Sequence, residues 1–146
     1  MMRQFFLYII CALLLASCEY HASENGDLDG FWQLTQVDTL ATGGVEDMRH
    51  SQISWAFQGH LVEMRNPLLY SYEGDVIARF AHTHDSLTVH DFYISLRESG
   101  DIQITRPEQL YPFGIHRLTE HFRILMLDGS RMTLRSDSLQ LYFRRY

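Results

Sequence analysis

The stretch HFRILMLDGSRMTLRSDSLQLYFRR, residues 121–145, decides the fold. It divides into three apolar-rich segments separated by two short polar ones, Asp128-Gly129-Ser130 and Ser136-Asp137-Ser138. In the last segment Leu139, Leu141 and Phe143 alternate with more polar residues, as in a strand with one buried face. Asp-Gly favours a hairpin because both residues tolerate a positive φ. The stretch therefore predicts antiparallel strands at 121–127, 131–135 and 139–145.

The chain from Gly30 to residue 120 repeats this pattern of short aromatic and β-branched segments between turn residues. Further strands are predicted at 31–37, 51–58, 60–66, 75–83, 86–91 and 102–105. One short helical turn is predicted at 115–120, after Pro112-Phe113-Gly114. Successive strands without intervening helices favour an all-β antiparallel meander. Because closure removes exposed strand edges, we predict a β-barrel of about eight strands, the size that can hold one small ligand.

The N-terminus has the three parts of a secretory signal. Arg3 precedes an uncharged apolar run at 5–16, and small residues then lead to Cys18. The run is shorter than the roughly 20 residues that a spanning helix needs, so a retained transmembrane helix is a weaker alternative. A signal peptide cleaved without modification of Cys18 is another. Leu15-Ala16-Ser17-Cys18 resembles the bacterial lipobox, which implies cleavage before Cys18 and lipid on its sulfur.

This resemblance divides the chain into a signal peptide at 1–17, a lipidated flexible spacer at 18–29 and one barrel domain at 30–146. Each buried acyl methylene contributes about 0.8 kcal/mol, so several chains on Cys18 would make the membrane a permanent partner. The expected location is the bacterial cell envelope, at the outer membrane. Because Cys11 leaves with the signal, the mature chain is expected to fold without a disulfide.

The charge of the chain is −6, and all 12 of its fixed positive side chains are arginines. The longest basic run is Arg144-Arg145. Net acidity without a basic run argues against nucleic acid and against an anionic lipid surface as partners.

Gly30-Phe31-Trp32 begins the first predicted strand, and Arg144-Arg145 ends the last. A Gly-x-Trp paired with a late arginine resembles the lipocalins. The resemblance implies that Gly30, Trp32 and Arg144 or Arg145 form the barrel floor, with a guanidinium stacked on the indole. The wider pattern at 29–34, 39–44, 112–115 and 139–146 is similar to the small lipocalin-like lipoproteins of Bacteroides-type bacteria. It implies a lipocalin-like barrel on a lipid tether, without a catalytic site.

Histidines are the weak candidates for metal ligands. His82 and His84 are two residues apart, so they would share one face of a strand, and His90 follows. A zinc site needs three or four converging ligands, whereas residues beside a turn are usually exposed. The sequence contains no nucleophile motif, phosphate loop or dinucleotide fingerprint. We therefore predict no enzymatic activity and no cofactor.

Aromatic residues are the candidate ligand contacts. Trp55, Phe57, Phe80 and Tyr93 are predicted to line the barrel interior. The apolar stretch Leu68-Leu69-Tyr70-Ser71-Tyr72, with Tyr70 and Tyr72, is interpreted either as a lid over a ligand or as a plug of one barrel end.

Two functions follow from these observations. In the first, a membrane-tethered envelope lipoprotein binds a small apolar or glycan-derived ligand in its barrel. In the second, a ligand-free barrel docks on an envelope protein through an exposed apolar patch.

Overall fold

A computed structural model describes residues 24–68, 75–96 and 99–146. The predictions that concern Cys18, the signal segment, Tyr70 and Tyr72 lie outside these residues. In the part of the chain that the structure describes, no helix is both long enough and apolar enough to cross a bilayer.

The described chain forms ten strands and two short 3₁₀ helices. The strands are β1 (Gly30–Thr39), β2 (Gly44–Asp47), β3 (Ser54–Gln58), β4 (Leu61–Arg65), β5 (Asp75–His82), β6 (Ser86–Ser95), β7 (Ile102–Gln103), β8 (Thr119–Leu127), β9 (Arg131–Arg135) and β10 (Leu139–Arg145). The 3₁₀ helices are Gly26–Leu28 and Pro107–Phe113.

Eight of these strands form a ring. Antiparallel pairing runs from β1 through β3, β4, β5, β6, β8 and β9 to β10. The ring closes because β10 also pairs with β1, from Trp32 opposite Arg145 to Thr39 opposite Leu139. The short strand β2 pairs with the C-terminal residues of β1, and β7 pairs with Tyr93 and Ile94 near the C-terminal end of β6. The predicted all-β antiparallel barrel is confirmed.

Strand bounds follow the prediction most closely at the C-terminus, where β9 and β10 begin and end as expected. The structure adds β2, which the sequence did not predict. All four residues of β2 are exposed, so no alternation of buried and exposed positions marks it.

The helical turn predicted at 115–120 is in the wrong place. The 3₁₀ helix lies at Pro107–Phe113, and β8 already begins at Thr119. Proline suits the start of a helix because no partner is needed there for the missing N–H. Gly114 ends the helix with a φ of 80°. Leu110 and Phe113 are fully buried, so this 3₁₀ helix closes the upper end of the barrel, where β10 begins.

The last residues of the predicted spacer are folded. Leu28 is fully buried, and Asn25 is 8% exposed. The side-chain amide of Asn25 donates to the carbonyl of Gly59 at 2.8 Å and to Asp29 Oδ1 at 2.6 Å. These contacts place residues 25–29 against the lower end of the barrel, where β1 begins, so the folded part of the chain begins before Gly30.

Candidate functional site

The lower end of the barrel brings Gly30, Trp32 and Arg145 together. Trp32 is fully buried, and its Nε1 donates to the carbonyl of Leu28 at 2.8 Å. The guanidinium carbon of Arg145 lies 5.1 Å from the centre of the Trp32 ring, within the range of a cation–π contact. A Cβ at Gly30 would lie 3.0 Å from Arg145 Nη2, so glycine leaves room for the guanidinium.

Of the two adjacent arginines, Arg145 is the one that covers the indole. Neighbouring residues of a strand point to opposite faces. Arg144 accordingly lies on the outer face, where its Nε donates to Gln33 Oε1 at 2.7 Å. The contacts of Arg145 close the barrel, whereas those of Arg144 belong to its outer surface.

Trp55, Phe57 and Phe80 lie inside the barrel as a packed cluster. Their exposed fractions are 0%, 2% and 5%. The Trp55 ring centre lies 6.1 Å from that of Phe57 and 5.1 Å from that of Phe143. Phe57 and Phe80 meet edge to face at 5.1 Å. These separations are those of aromatic rings in direct contact, so the three residues fill the interior with one another.

Tyr93 lies on the outer face, not in the interior as predicted. Asp91 has a φ of 54°, and the register shifts so that Ile77 faces Tyr93 while Arg79 faces His90. An extra residue on one strand is a β-bulge, and it reverses the alternation of faces beyond it. Phe92 is therefore buried, and Tyr93 points outward.

The indole Nε1 of Trp55 is a buried donor that has no acceptor among the described residues. Leaving such a donor unpaired costs roughly 1–3 kcal/mol. Trp55 Nε1 is therefore a polar group without a hydrogen bond to the described chain, inside an otherwise apolar core.

The three histidines do not converge. His82 Nε2 lies 3.1 Å from Asn25 Oδ1, and His90 Nδ1 lies 3.0 Å from Asp91 Oδ2. His84 is exposed in the turn between β5 and β6. Within residues 24–68, 75–96 and 99–146, no group of three or more His, Cys, Asp or Glu side chains could hold a metal ion.

A groove of about 630 Å³ opens on the outer surface formed by β1, β10, β9 and β8, which we call the outer wall. The floor of the groove is a row of residues that face one another across these strands. In order they are Gln36, Tyr142, Thr133 and Met126. The segment after β2 forms one side of the groove through Asp47 and Arg49.

A buried amide ties this segment to β10. Gln33 is 3% exposed, donates through Nε2 to the carbonyl of Arg49 at 3.0 Å and accepts from Arg144 Nε. Asp47 Oδ1 accepts from Arg49 Nε at 2.9 Å. Hydrogen bonds from the Arg49 side chain and backbone hold the pKa of Asp47 well below its usual range. The groove is therefore built by fixed contacts on this side.

Tyr142 is held in the floor by two side chains. Its hydroxyl donates to Asp38 Oδ2 at 2.9 Å and accepts from Gln140 Nε2. Burial, and then the hydrogen bond to Asp38, raise the pKa of Tyr142. The ring is thus a neutral surface of fixed orientation.

Sequence reasoning missed this groove because its lining comes from segments far apart in the chain. One signal was present. In β9, Arg131, Thr133 and Arg135 occupy outward positions between buried apolar residues. Which outward residues of other strands meet them depends on the register, which alternation alone does not fix.

Comparison with known proteins agrees with the architecture. The profile of the lipocalin-like domain family matches residues 13–146. No functionally curated protein matches the chain. A solved lipocalin-like protein from Bacteroides uniformis is 21% identical and superposes with a TM-score of 0.63, covering 83% of this chain and 100% of that one.

A second solved structure, an uncharacterized protein from Bacteroides eggerthii, is 16% identical with a TM-score of 0.56, covering 81% of this chain and 98% of that one. Structural similarity at this level of sequence identity establishes the fold. The predicted resemblance to Bacteroides-type lipocalin-like proteins is confirmed. With its profile match and its closed antiparallel barrel, the chain belongs to the lipocalin-like domain family.

Proposed function

We propose that this protein is a lipid-anchored binding protein of the bacterial envelope, and that its outer groove takes a small glycan-derived ligand. The lipocalin-like fold is in general a binding fold and not a catalytic one. The observation that carries the proposal is the groove of about 630 Å³ on the outer wall. That volume lies within the roughly 300–1,000 Å³ of small-molecule sites.

Packing inside the barrel favours an outer site. Trp32 closes the lower end, Phe113 closes the upper end, and both are fully buried. The aromatic cluster around Trp55 fills the space between them. A ligand inside would have to displace such side chains, and the lost packing of one buried Phe costs about 3–5 kcal/mol.

The lining of the groove suits a polyhydroxylated ring. Thr133 carries a hydroxyl and Gln36 an amide, which offer both donors and acceptors. The Tyr142 ring and the Met126 side chain give the same floor an apolar surface. A sugar presents hydroxyls and C–H faces together, so it can use both the polar and the apolar parts of this floor.

A second candidate is a small apolar ligand inside the barrel. The unpaired Nε1 of Trp55 favours it, because a ligand with one acceptor oxygen would satisfy that donor. To reach Trp55, such a ligand would have to displace buried side chains at one end of the barrel, such as Trp32 at the lower end or Phe113 at the upper end.

Matched substitutions test the groove site. Thr133→Trp fills the groove, and Thr88→Trp places the same bulk on the outer face of β6. The full chain, purified in a non-ionic detergent, is titrated calorimetrically with maltotriose, chitotriose and trigalacturonic acid. We expect at least one to bind the unaltered protein and Thr88→Trp, and to bind Thr133→Trp at least tenfold more weakly.

Trp55→Phe distinguishes the two candidates, since it removes the interior donor and leaves the groove intact. Unchanged binding by this variant supports the groove. Binding that Trp55→Phe weakens and Thr133→Trp spares would place the ligand inside the barrel. An absence of binding to all three sugars and to the phosphorylated sugar glucose 1,6-bisphosphate would refute the groove site.

The proposed anchor rests on Leu15-Ala16-Ser17-Cys18. Asn25, already packed on the barrel, follows Cys18 by 25 − 18 = 7 residues. Even fully extended, such a segment spans only about 25 Å, so the lower end of the barrel would lie close to the membrane.

We expect Cys18→Ser to move the protein from the membrane fraction of the native bacterium to the soluble or unprocessed pool. Cys11→Ser is the matched control, because it alters a cysteine within the signal and leaves the lipidated position unchanged. The measurement is cell fractionation with mass determination of the mature N-terminus. Retention of mature Cys18→Ser protein in the membrane would contradict the anchor.

A further inference from the structure

The outer wall gathers arginines that the sequence keeps apart. Arg123 on β8, Arg131 and Arg135 on β9, and Arg144 on β10 are all exposed. The register sets them in two directly opposed pairs, Arg123 with Arg135 and Arg131 with Arg144. A protein with a net charge of −6 thus brings four arginines together on the outer face of three neighbouring strands.

Like charges directly opposite each other destabilise a sheet. Opposite charges at the same positions would stabilise it. The direct opposition of these guanidinium groups therefore does not stabilise the fold, and a counter-charge from outside the chain would reduce their repulsion.

Carboxylates near the wall are engaged elsewhere. Asp128 Oδ1 accepts from the backbone N–H groups of Ser130 and Arg131, each at 2.8 Å, and these bonds lower the pKa of Asp128. Its other oxygen lies 3.7 Å from Arg131 Nη2, at the limit of an ion pair. Asp47 is bound to Arg49, and Asp38 accepts from Tyr142.

Two of the four arginines are available to a ligand. Among the residues that the structure describes, neither Arg123 nor Arg135 forms an ion pair or a side-chain hydrogen bond. Arg144 donates to the neutral side chain of Gln33 and not to a carboxylate. Within the described residues, Arg123, Arg135 and Arg144 are therefore not paired with a carboxylate, whereas Arg131 is paired with Asp128.

The spacing of the pairs follows from the strand. Arg131 and Arg135 are four residues apart on β9, which corresponds to about 13 Å at the usual rise of a strand. Thr133 lies midway on the same face, within the groove floor. Arg131 and Arg144 line the groove, whereas Arg123 and Arg135 lie beyond its lining on the same outer face. An extended ligand that runs along β9 would meet the first pair in the groove, then Thr133, then the second pair.

The shape of the surface favours a discrete molecule over a bilayer. The segment with Asp47 and Arg49 stands at one side of the floor and makes the site concave. A planar membrane would contact that rim and leave the floor uncovered, whereas an oligosaccharide can lie inside.

We propose that the groove binds an acidic oligosaccharide that extends along β9, whose carboxylate or phosphate groups pair with Arg131 and Arg144 in the groove and with Arg123 and Arg135 beyond it. This inference rests on the proposed function of the groove and adds the charge of its ligand. Guanidinium groups suit it because they bind carboxylate and phosphate through two parallel hydrogen bonds.

Two acidic probes and one neutral counterpart test the proposal. Trigalacturonic acid supplies carboxylates, glucose 1,6-bisphosphate supplies phosphates, and the fully methyl-esterified trigalacturonate keeps the shape without the charge. Binding to the full chain in non-ionic detergent is measured by calorimetry at low and at physiological ionic strength. We expect an acidic probe to bind at least tenfold more tightly than the ester, and more weakly as salt screens the arginines.

Charge variants locate the contacts. We expect Arg131→Gln with Arg144→Gln, and separately Arg123→Gln with Arg135→Gln, each to weaken acidic binding at least tenfold. Arg79→Gln removes an exposed strand arginine from β5, on the other side of the barrel, and should have no effect. Because Arg123 and Arg135 repel each other and neither forms an ion pair among the described residues, their double variant should not lower the melting temperature. The other double variant also removes the hydrogen bond from Arg144 to the buried Gln33, so a lower melting temperature is expected there, and its binding is measured at a temperature at which it is folded.

The possible outcomes distinguish the acidic-ligand proposal from the proposed function of the groove, on which it rests. A carboxylate or a phosphate preference would each support it and would identify the anion. Equal binding of acid and ester, abolished by Thr133→Trp, would overturn the acidic class and leave the groove function standing. Acid binding that survives both double variants would also overturn it. So would binding only to phosphatidylglycerol vesicles, and an absence of all sugar binding would overturn both proposals.

Discussion

The inner and outer faces of β8, β9 and β10 are made from alternate residues of the same strands, yet they follow opposite rules. On the inner face Phe122, Leu134 and Phe143 are buried and add to the core. On the outer face the same strands oppose arginine to arginine. A barrel needs the first pattern and is weakened by the second. The comparison teaches that packing explains the inner residues, whereas the outer ones need an explanation from outside the fold.

Trp32→Ala should have the largest effect, because it empties the most enclosed position of the inner face. Trp32 is fully buried, and the substitution removes its hydrogen bond to Leu28 and its contact with Arg145. We expect a loss of about 3–5 kcal/mol in the free energy of unfolding. Urea denaturation measures it. A loss below about 1 kcal/mol would mean that the lower end does not depend on this residue.

Gly114→Ala should come next, because it disturbs the closure of the upper end. Gly114 has a φ of 80°, and a Cβ there would lie 2.7 Å from Leu141 Cδ2. Left-handed backbone and overpacking each destabilise, so we expect a loss of about 1–3 kcal/mol.

Gly129→Ala is the control for that experiment. Gly129 has no positive φ, and nothing lies within 4 Å of the position of its Cβ. Thermal unfolding of both variants should show a decrease for Gly114→Ala alone. Equal melting temperatures would mean that the 3₁₀ helix is not packed on β10 as described.

The inner face is the part of this molecule that the sequence predicts well. Alternation in Leu139, Leu141 and Phe143 follows directly from the period of a strand, so β10 was predicted with its correct bounds. The prediction failed at Tyr93. The bulge there places Asp91 in the left-handed backbone region, and the sequence has no glycine at that position to indicate it. The prediction failed again at Pro107–Phe113, where a 3₁₀ helix of seven residues has too short a pattern to be recognised.

The outer wall could not be predicted from the sequence, for a different physical reason. Arg123 and Arg135 are far apart in the chain, and only the register of β8 with β9 brings them together. That register includes an irregularity between Ile124 and Met126, so counting residues back from the turn misplaces the pair. Absence of a basic run in the sequence was therefore no evidence against a basic surface.

Arg135→Gln should have the smallest effect, and of opposite sign to the others. Removing one member of a like-charged cross-strand pair should raise the free energy of unfolding by about 0.2–1 kcal/mol. The gain should shrink with added salt, since at 0.15 M the screening length is only about 8 Å. Arg79→Gln is the matched control, because Arg79 faces His90 and Leu61 and has no arginine opposite it.

The sign of that small change decides between two explanations of the outer wall. If the guanidinium of Arg135 were part of the packing, its loss would destabilise the barrel and added salt would matter little. If Arg135 serves a ligand, the variant gains stability in low salt, and Arg79→Gln does not. A repulsive pair that lowers the stability of the barrel is explained by an interaction outside the fold. The increase in the free energy of unfolding of Arg135→Gln in low salt would measure the repulsion that a bound acidic ligand relieves.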